Sequence, residues 1–407
     1  MSRKSRTTIG IDIGTSKITV IVAEVHRDGV DVVGIGEQPS HGIKKGLIIN
    51  MESTVDSIKH ALEEAETMTG IDINATVVGI SGNHIEGVKS NGVIPVNNKE
   101  IKKADIVRAM DAAKAIVIPT AREVIHIIPQ EFIVDDQNGI KEPLGMSGVR
   151  LEAHVYIITG TVASIQNIIR CTNKTGVKVQ DIILQQLASA EAVLLEDEKE
   201  LGCALIDIGG GTTDIAVFHK GTIRHCAVLP IGGDHITSDI AIGIRTPISE
   251  AEEIKRHFGC ADLSKVNCER EVEFYNIGDQ EKRSVSPNLL CQIVEARVEE
   301  IFKIIKRELA DSGFIDYLSS GAVLTGGSAL LKGLDIIAKK NLGMPVRIGL
   351  PCGINGINDV KDPSYATGVG LILFSCRDKI NRSRARGQKK NFLPFGQKMR
   401  EWFTEAF

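Results

Sequence analysis

The sequence predicts an α/β protein built as two lobes around a shared cleft, and three observations carry that expectation. Asp12-Ile13-Gly14-Thr15-Ser16-Lys17 stands near the start, and Asp207-Ile208-Gly209-Gly210-Gly211-Thr212-Thr213-Asp214 repeats its plan almost half the chain later. Apolar runs flank each copy, so both read as β-hairpins with a glycine turn. Composition is the third: 407 residues, 43% hydrophobic and 4% aromatic with 40 glycines, suit two aliphatic cores and many tight turns.

The residue types in the two turns explain each other. Glycines let backbone N–H groups approach a phosphate with no Cβ in the way, and consecutive N–H groups form an anion-binding concavity. The hydroxyls of Thr15, Ser16, Thr212 and Thr213 add donors, and Lys17 adds positive charge. Asp12 and Asp207 would repel bare phosphate, so a Mg²⁺ ion held through its waters is the natural reason for keeping them there. Two facing copies would grip a triphosphate from both sides.

A third element is Ala322-Val323-Leu324-Thr325-Gly326-Gly327-Ser328, an apolar strand ending in glycines that make room for a flat ring or a ribose. The segment 249–256 reads as a helix on which Glu252 and Lys255 share a face, either as part of that same site or as a solvated charged surface.

The remaining elements follow in chain order. A helix is expected over 53–69, where Val55, Ile58, Leu62 and Ala65 share a face, then a buried strand over 76–80. From 84 to 165 the texture changes: strands over 92–96, 123–129, 131–135 and 154–159 flank a charged helix over 99–115, with no phosphate turn. That segment reads as an inserted α+β interaction module. A helix over 162–175 and a strand over 177–184 return to the first lobe. The expected division is 1–83 with 166–200 and 364–380 as the first lobe, and 84–165 as the module. The second lobe takes 201–233 with 302–363, interrupted by a mainly helical insertion over 234–301. A last helix over 364–376 packs back on the first lobe.

The net charge of −4 gives no reason to expect nucleic acid. Eight scattered cysteines without a CxxC pair, and no secretory signal, lead to an expected reducing cytoplasm. No segment is long and apolar enough to span a bilayer. The end of the chain is unusual. Residues 377–390 carry seven basic residues against the one acid Asp378, and 381–390 reads as a basic flexible linker. On a helical wheel over 391–407, Phe392, Phe395, Met399, Trp402, Phe403 and Phe407 fall within one arc. Those aromatics and their basic flank fit an interfacial membrane helix on anionic lipid, with docking on the chain's own core or on a partner as the other readings.

Taken in order, the first hairpin, Gln185-Gln186-Leu187-Ala188-Ser189-Ala190, the second hairpin and the Gly326-Gly327 strand resemble the ATP-binding signature of the actin superfamily. That resemblance implies an actin-like two-lobed ATPase fold with ATP and Mg²⁺ in the cleft. Ile80-Ser81-Gly82-Asn83-His84-Ile85, Ile128-Pro129-Gln130-Glu131-Phe132 and 145–153 are similar, more narrowly, to the bacterial FtsA cell-division family. The resemblance covers almost the whole chain and is least diagnostic over 260–290.

It implies an ATP-binding protein that polymerises on the cytoplasmic face of the membrane, anchors filaments of the tubulin-like FtsZ at the division septum, and recruits later division proteins. The FtsZ C-terminal peptide would dock on 234–311, where Arg297 is either a contact or a routine surface arginine. Gln185 and Asp207 are candidates for orienting water and metal in a hydrolysis that is slow or absent. The other reading of the same fold is a small-molecule kinase of the sugar-kinase type.

Overall fold

The computed structural model describes residues 6–386, apart from 27–28, 98, 267–270 and 279–280. The first lobe opens with an antiparallel meander of β1 (Arg6–Ile13), β2 (Lys17–Val25) and β3 (Val30–Pro39), followed by a small hairpin of β4 (Ile43–Lys44) and β5 (Leu47–Ile48). The helix α1 (Met51–Thr69) starts where the Asn50 side chain accepts from the Ser53 N–H, and it stops at Gly70, whose φ of 68° is a left-handed cap. Its apolar stripe of Ile58, Ala61, Leu62 and Ala65 is buried on β3, close enough that a Cβ on Gly36 would lie 1.9 Å from the Ala61 carbonyl oxygen. After it, β6 (Ala75–Ile80) pairs parallel with β1.

A separate sheet comes next: β7 (Glu86–Pro95), α2 (Lys103–Lys114), β8 (Arg122–Val134), β9 (Gln137–Ile140) and β10 (Arg150–Thr161), with strand order β7-β10-β8-β9. The sequence suggests two strands where β8 is one. The register explains the difference: Pro129 pairs with Val155 and Glu131 with His154, so Gln130 is an extra, bulged residue. The bulge aims the Gln130 amide at the other lobe, where its Nε2 donates to the Ile223 carbonyl at 2.8 Å. Then α3 (Val162–Lys174) and β11 (Lys178–Leu184), parallel to β6, return to the first sheet.

Two helices, α4 (Gln185–Val193) and α5 (Glu196–Leu201), lead into a second meander of β12 (Cys203–Ile208), β13 (Thr213–His219) and β14 (Thr222–Leu229). Beyond it lie α6 (Gly233–Ile244), α7 (Ile248–Phe258), β15 (Val272–Tyr275), β16 (Lys282–Val285) and α8 (Pro287–Asp311). The hairpin β15–β16 stands within the stretch expected to be mainly helical. The lobe ends with β17 (Ala322–Thr325), α9 (Leu334–Leu342) and β18 (Val346–Ile348); β19 (Asn355–Gly356) and α10 (Ala366–Arg386) then rejoin the first lobe.

The two main sheets are ordered β11-β6-β1-β2-β3-β19 and β14-β13-β12-β17-β18. Each is a three-stranded meander whose first strand continues into two parallel strands, so the second lobe repeats the plan of the first. The second core gathers Ile206, Ile215, Ile240, Val294, Phe302 and Leu324, all essentially inaccessible to solvent. Helix α4 touches strands of both main sheets and packs on α10, where Gly370 is needed because a Cβ would lie 1.8 Å from the Ala188 carbonyl oxygen. The last helix is longer than expected, reaching Arg386 rather than residue 376, since neither glycine nor proline interrupts the chain between Gly370 and Gly387. Helix therefore takes up residues 381–386 of the expected linker.

Candidate functional site: two glycine turns across a cleft

Both matched motifs form hairpins, and each turn closes on itself. Gly14 donates to the Lys17 carbonyl at 3.1 Å, and Gly209 to that of Thr212 at 2.9 Å. Each closure leaves two N–H groups at the tip, those of Thr15 and Ser16 and those of Gly210 and Gly211, with no acceptor among the described residues. The tips face one another across the lobes. A Cβ on Gly210 would lie 1.8 Å from Ser16 Oγ, and one on Gly211 would lie 2.7 Å from Thr15 Cγ2. Four free donors on opposed turns, two of them on glycines, are the kind of arrangement that can bind an anion. Beside them a cavity is lined by Gly14, Thr15, Gly46, Ser81, Gln185 and Thr212.

Three carboxylates stand behind the tips. Asp207 and Asp214 are direct partners across the β12–β13 ladder, where like charges repel. Burial, with the Asp207 charge added, pushes Asp214 up to about 8 and Asp12 up to about 7; burial also raises Asp207, against hydrogen bonds from Ser189 and Thr367. Helix α4 serves all three from one short stretch. Gln185 Nε2 donates to Asp12 at 2.8 Å, Gln186 Nε2 to Asp214 at 2.7 Å, and Ser189 Oγ to Asp207 at 2.7 Å. Ser81 also donates to Asp214, and Thr367 at the start of α10 donates to Asp207 at 3.3 Å.

Among the described residues no three His, Cys, Asp or Glu side chains converge closely enough to ligate an ion directly. Burial and the neighbouring Asp207 charge raise the cost of ionising Asp12, and such a pair could hold a hydrated cation such as Mg²⁺, which releases its waters reluctantly. A cation there would supply the charge that the crowded carboxylates lack.

The Gly326-Gly327-Ser328 segment is brought to the same place. Gly326, at φ 85°, lies so close to Asp207 that a Cβ would sit 2.3 Å from its Oδ1, whereas a Cβ on Gly327 would meet nothing nearer than Ser364 Cβ at 3.8 Å. The Gly209 carbonyl joins the parts, accepting from Ser328 Oγ at 3.1 Å and from the Gly233 N–H at 2.9 Å. Lys255 reaches the same corner: its Nζ pairs with Glu252 at 2.6 Å and donates to the Gly233 carbonyl at 3.2 Å. The Lys255 ammonium is thus held against Gly233 beside the second turn, while Glu253, Arg256 and His257 of the same helix stay exposed.

Two of the expected donors are otherwise engaged. Thr213 Oγ1 is buried and donates to the Ile231 carbonyl at 2.8 Å, so it braces β13. Lys17 is paired with Glu37 at 2.7 Å. Arg297 is held by Asp239 and Glu300, which is the behaviour of a structural arginine joining α6 and α8. Residues the sequence did not single out, Ser81, Gln186, Ser189, Gly233 and Thr367, complete the site. Phe392, Phe395, Met399, Trp402, Phe403 and Phe407 lie outside the described residues.

The family model for the cell division protein FtsA matches residues 204–370, and that for the SHS2 domain inserted in FtsA matches 82–159. The chain is 48% identical to the FtsA of Pseudomonas aeruginosa over 90% of its length and 88% of the relative's. It is 42% identical to that of Bacillus subtilis, covering 94% and 86%, and 36% identical to that of Escherichia coli K12, covering 98% of both. Solved structures with a similar fold include the PilM–PilN type IV pilus biogenesis complex (TM-score 0.63, 16% identity, 90% and 98% covered). An MreB of Spiroplasma citri bound to AMPPNP (0.56, 16%, 94% and 100%) and the MamK double helical filament (0.53, 13%, 91% and 98%) are alike too. The two-lobed architecture is the actin-like ATPase fold that the turn motifs led one to expect. With relatives at this identity spanning nearly the whole chain, the protein belongs to the FtsA family of cell division proteins.

Proposed function

We propose that the protein binds ATP with Mg²⁺ in the cleft, polymerises on the cytoplasmic face of the membrane as a peripheral protein, anchors FtsZ filaments there at the division septum, and helps recruit later division proteins. The observation that carries the nucleotide part is the pair of facing turns with free N–H groups at Thr15, Ser16, Gly210 and Gly211. Thr212, Gly209 and Asp214 complete the phosphate wall, and Gly326, Gly327, Ser328, Glu252 and Lys255 form the adenosine side. Asp12 and Asp207 hold Mg²⁺ through water, and Gln185, bonded to Asp12, is positioned to orient water in a slow hydrolysis. The neighbours bound to AMPPNP or assembled as a filament support the nucleotide and self-association parts by analogy of fold.

Membrane attachment rests on the composition of 391–407 and on family membership. Among the described residues no helix is long and apolar enough to cross a membrane; a short amphipathic segment with a basic flank is the composition of a helix that lies in the interface plane. A single short amphipathic helix binds lipid marginally, and linking many through a filament raises avidity by roughly 10² to 10⁴. The small-molecule kinase reading is set aside, because relatives covering almost the whole chain are division proteins. The test is co-sedimentation with anionic liposomes, with and without residues 391–407, at varied ATP. Full-length protein that stays in the supernatant under every condition would refute the tether.

A further inference from the structure

The Lys17 ammonium is the one cation carried by either phosphate turn, and it sits in a complete seat. Its Nζ lies 2.7 Å from Glu37 Oε2, donates to Ser364 Oγ at 3.2 Å, and rests 3.8 Å above the Tyr365 ring centroid. An ammonium has three donors and no acceptor, so these three neighbours use its directions up. The parts of the seat lie close together: burial, and then the neighbouring Glu37 carboxylate, push the Tyr365 phenol above its ordinary value. The seat is also part of the cleft: Ser364 and Tyr365 stand beside Pro363, whose carbonyl accepts from the Gly326 N–H.

Resting on the nucleotide reading above, we propose that Glu37, Ser364 and Tyr365 form an anionic seat that competes with phosphate for Lys17, so that this seat sets how strongly affinity depends on the phosphates of the nucleotide. Lys17 gains a phosphate only by giving up Glu37, the one anion among its three neighbours. Both members of the pair are partly exposed, with 25% and 37% of the side chain accessible, so the pair is a modest competitor rather than a lock. Glu37 is thereby a positioning residue that acts through Lys17.

The test is calorimetry on the full chain with Mg-ATP, Mg-ADP and adenosine. Glu37→Gln keeps the acceptor oxygen and removes the charge. The expected result is ATP and ADP affinity tightened by about two- to fivefold, the worth of a partly exposed ion pair, with adenosine unchanged. In a Lys17→Ala background the same substitution should do nothing. ATP affinity that weakens, ATP and adenosine that move together, or an effect that survives without Lys17 would each overturn the competition. Wild-type protein that binds none of the three would overturn the nucleotide reading along with it, whereas sound wild-type binding with an inert Glu37→Gln overturns this inference alone.

Discussion

Removing protons from the buried carboxylates should destabilise the nucleotide-free protein, and how far burial raises each carboxyl sets the order of magnitude. The folded state keeps protons on Asp214 and Asp12 up to about pH 8 and 7, whereas the unfolded chain releases them near pH 4. Raised carboxyl values stabilise the fold while the protons stay on, and that stabilisation is lost as pH climbs through the folded values. Between pH 6.5 and 8 the loss is on the order of 1–2 kcal/mol for Asp214 and smaller, on the order of 1 kcal/mol or less, for Asp12. Three histidines act in the opposite direction. Burial lowers His84 and His126 to about 4 and lowers His219 as well, so stability is gained as the unfolded chain sheds those protons. Above pH 6.5 that gain is at most about 1 kcal/mol in all. The net expectation is a loss of about 1 kcal/mol over this interval, read as a falling melting temperature without nucleotide or Mg²⁺. Asp214→Asn removes the larger part, so its profile should be flat over the same range. Wild-type and variant profiles that run parallel would refute the account, because the histidine contribution is common to both.

Other consequences follow from single contacts. Gly210→Val should abolish nucleotide binding by calorimetry, since even its Cβ would fall 1.8 Å from Ser16 Oγ and hold the turns apart; unchanged affinity would show the turns do not grip phosphate. Gln130→Ala should cost about 1–3 kcal/mol in thermal or denaturant melts, because it leaves the Ile223 carbonyl unpaired at the contact between inserted sheet and second lobe; a neutral result would mean water replaces the amide freely. Trp402→Glu should release the protein from anionic vesicles while ATP binding stays intact, and retained sedimentation would show that the tail does not carry membrane attachment.

How much of the site is legible before folding depends on how far apart its parts lie in the chain. Each turn is a local object: glycines, hydroxyls and a carboxylate stand within eight residues of one another, and the strands on either side declare themselves by their apolar runs. The matched motifs, the Gly326-Gly327 element and Gln185 were therefore visible. Residues that act only through distant contacts were not. Ser81 meets Asp214 over 133 positions and Thr367 meets Asp207 over 160; Ser81 was in view within the 80–85 segment but without a task, and the neighbours of Thr367 do not point to Asp207. Gln186 and Ser189 were in view within the 185–190 segment but without a task. Helix α4 is buried nearly all round, so the segment has no polar face to show which way its amides and hydroxyl point.

The sequence by itself determined the two hairpin turns and the alternation of strands and helices, because turn chemistry and hydrophobic period are set by near neighbours. Only the tertiary structure decided that one nine-residue helix would serve three aspartates, that Gln130 would bulge toward the opposite lobe, and that Lys17 would rest on Glu37. Those outcomes depend on which surfaces meet when the lobes close, and burial, which sets the energy of a carboxylate or an amide, exists only after they have met.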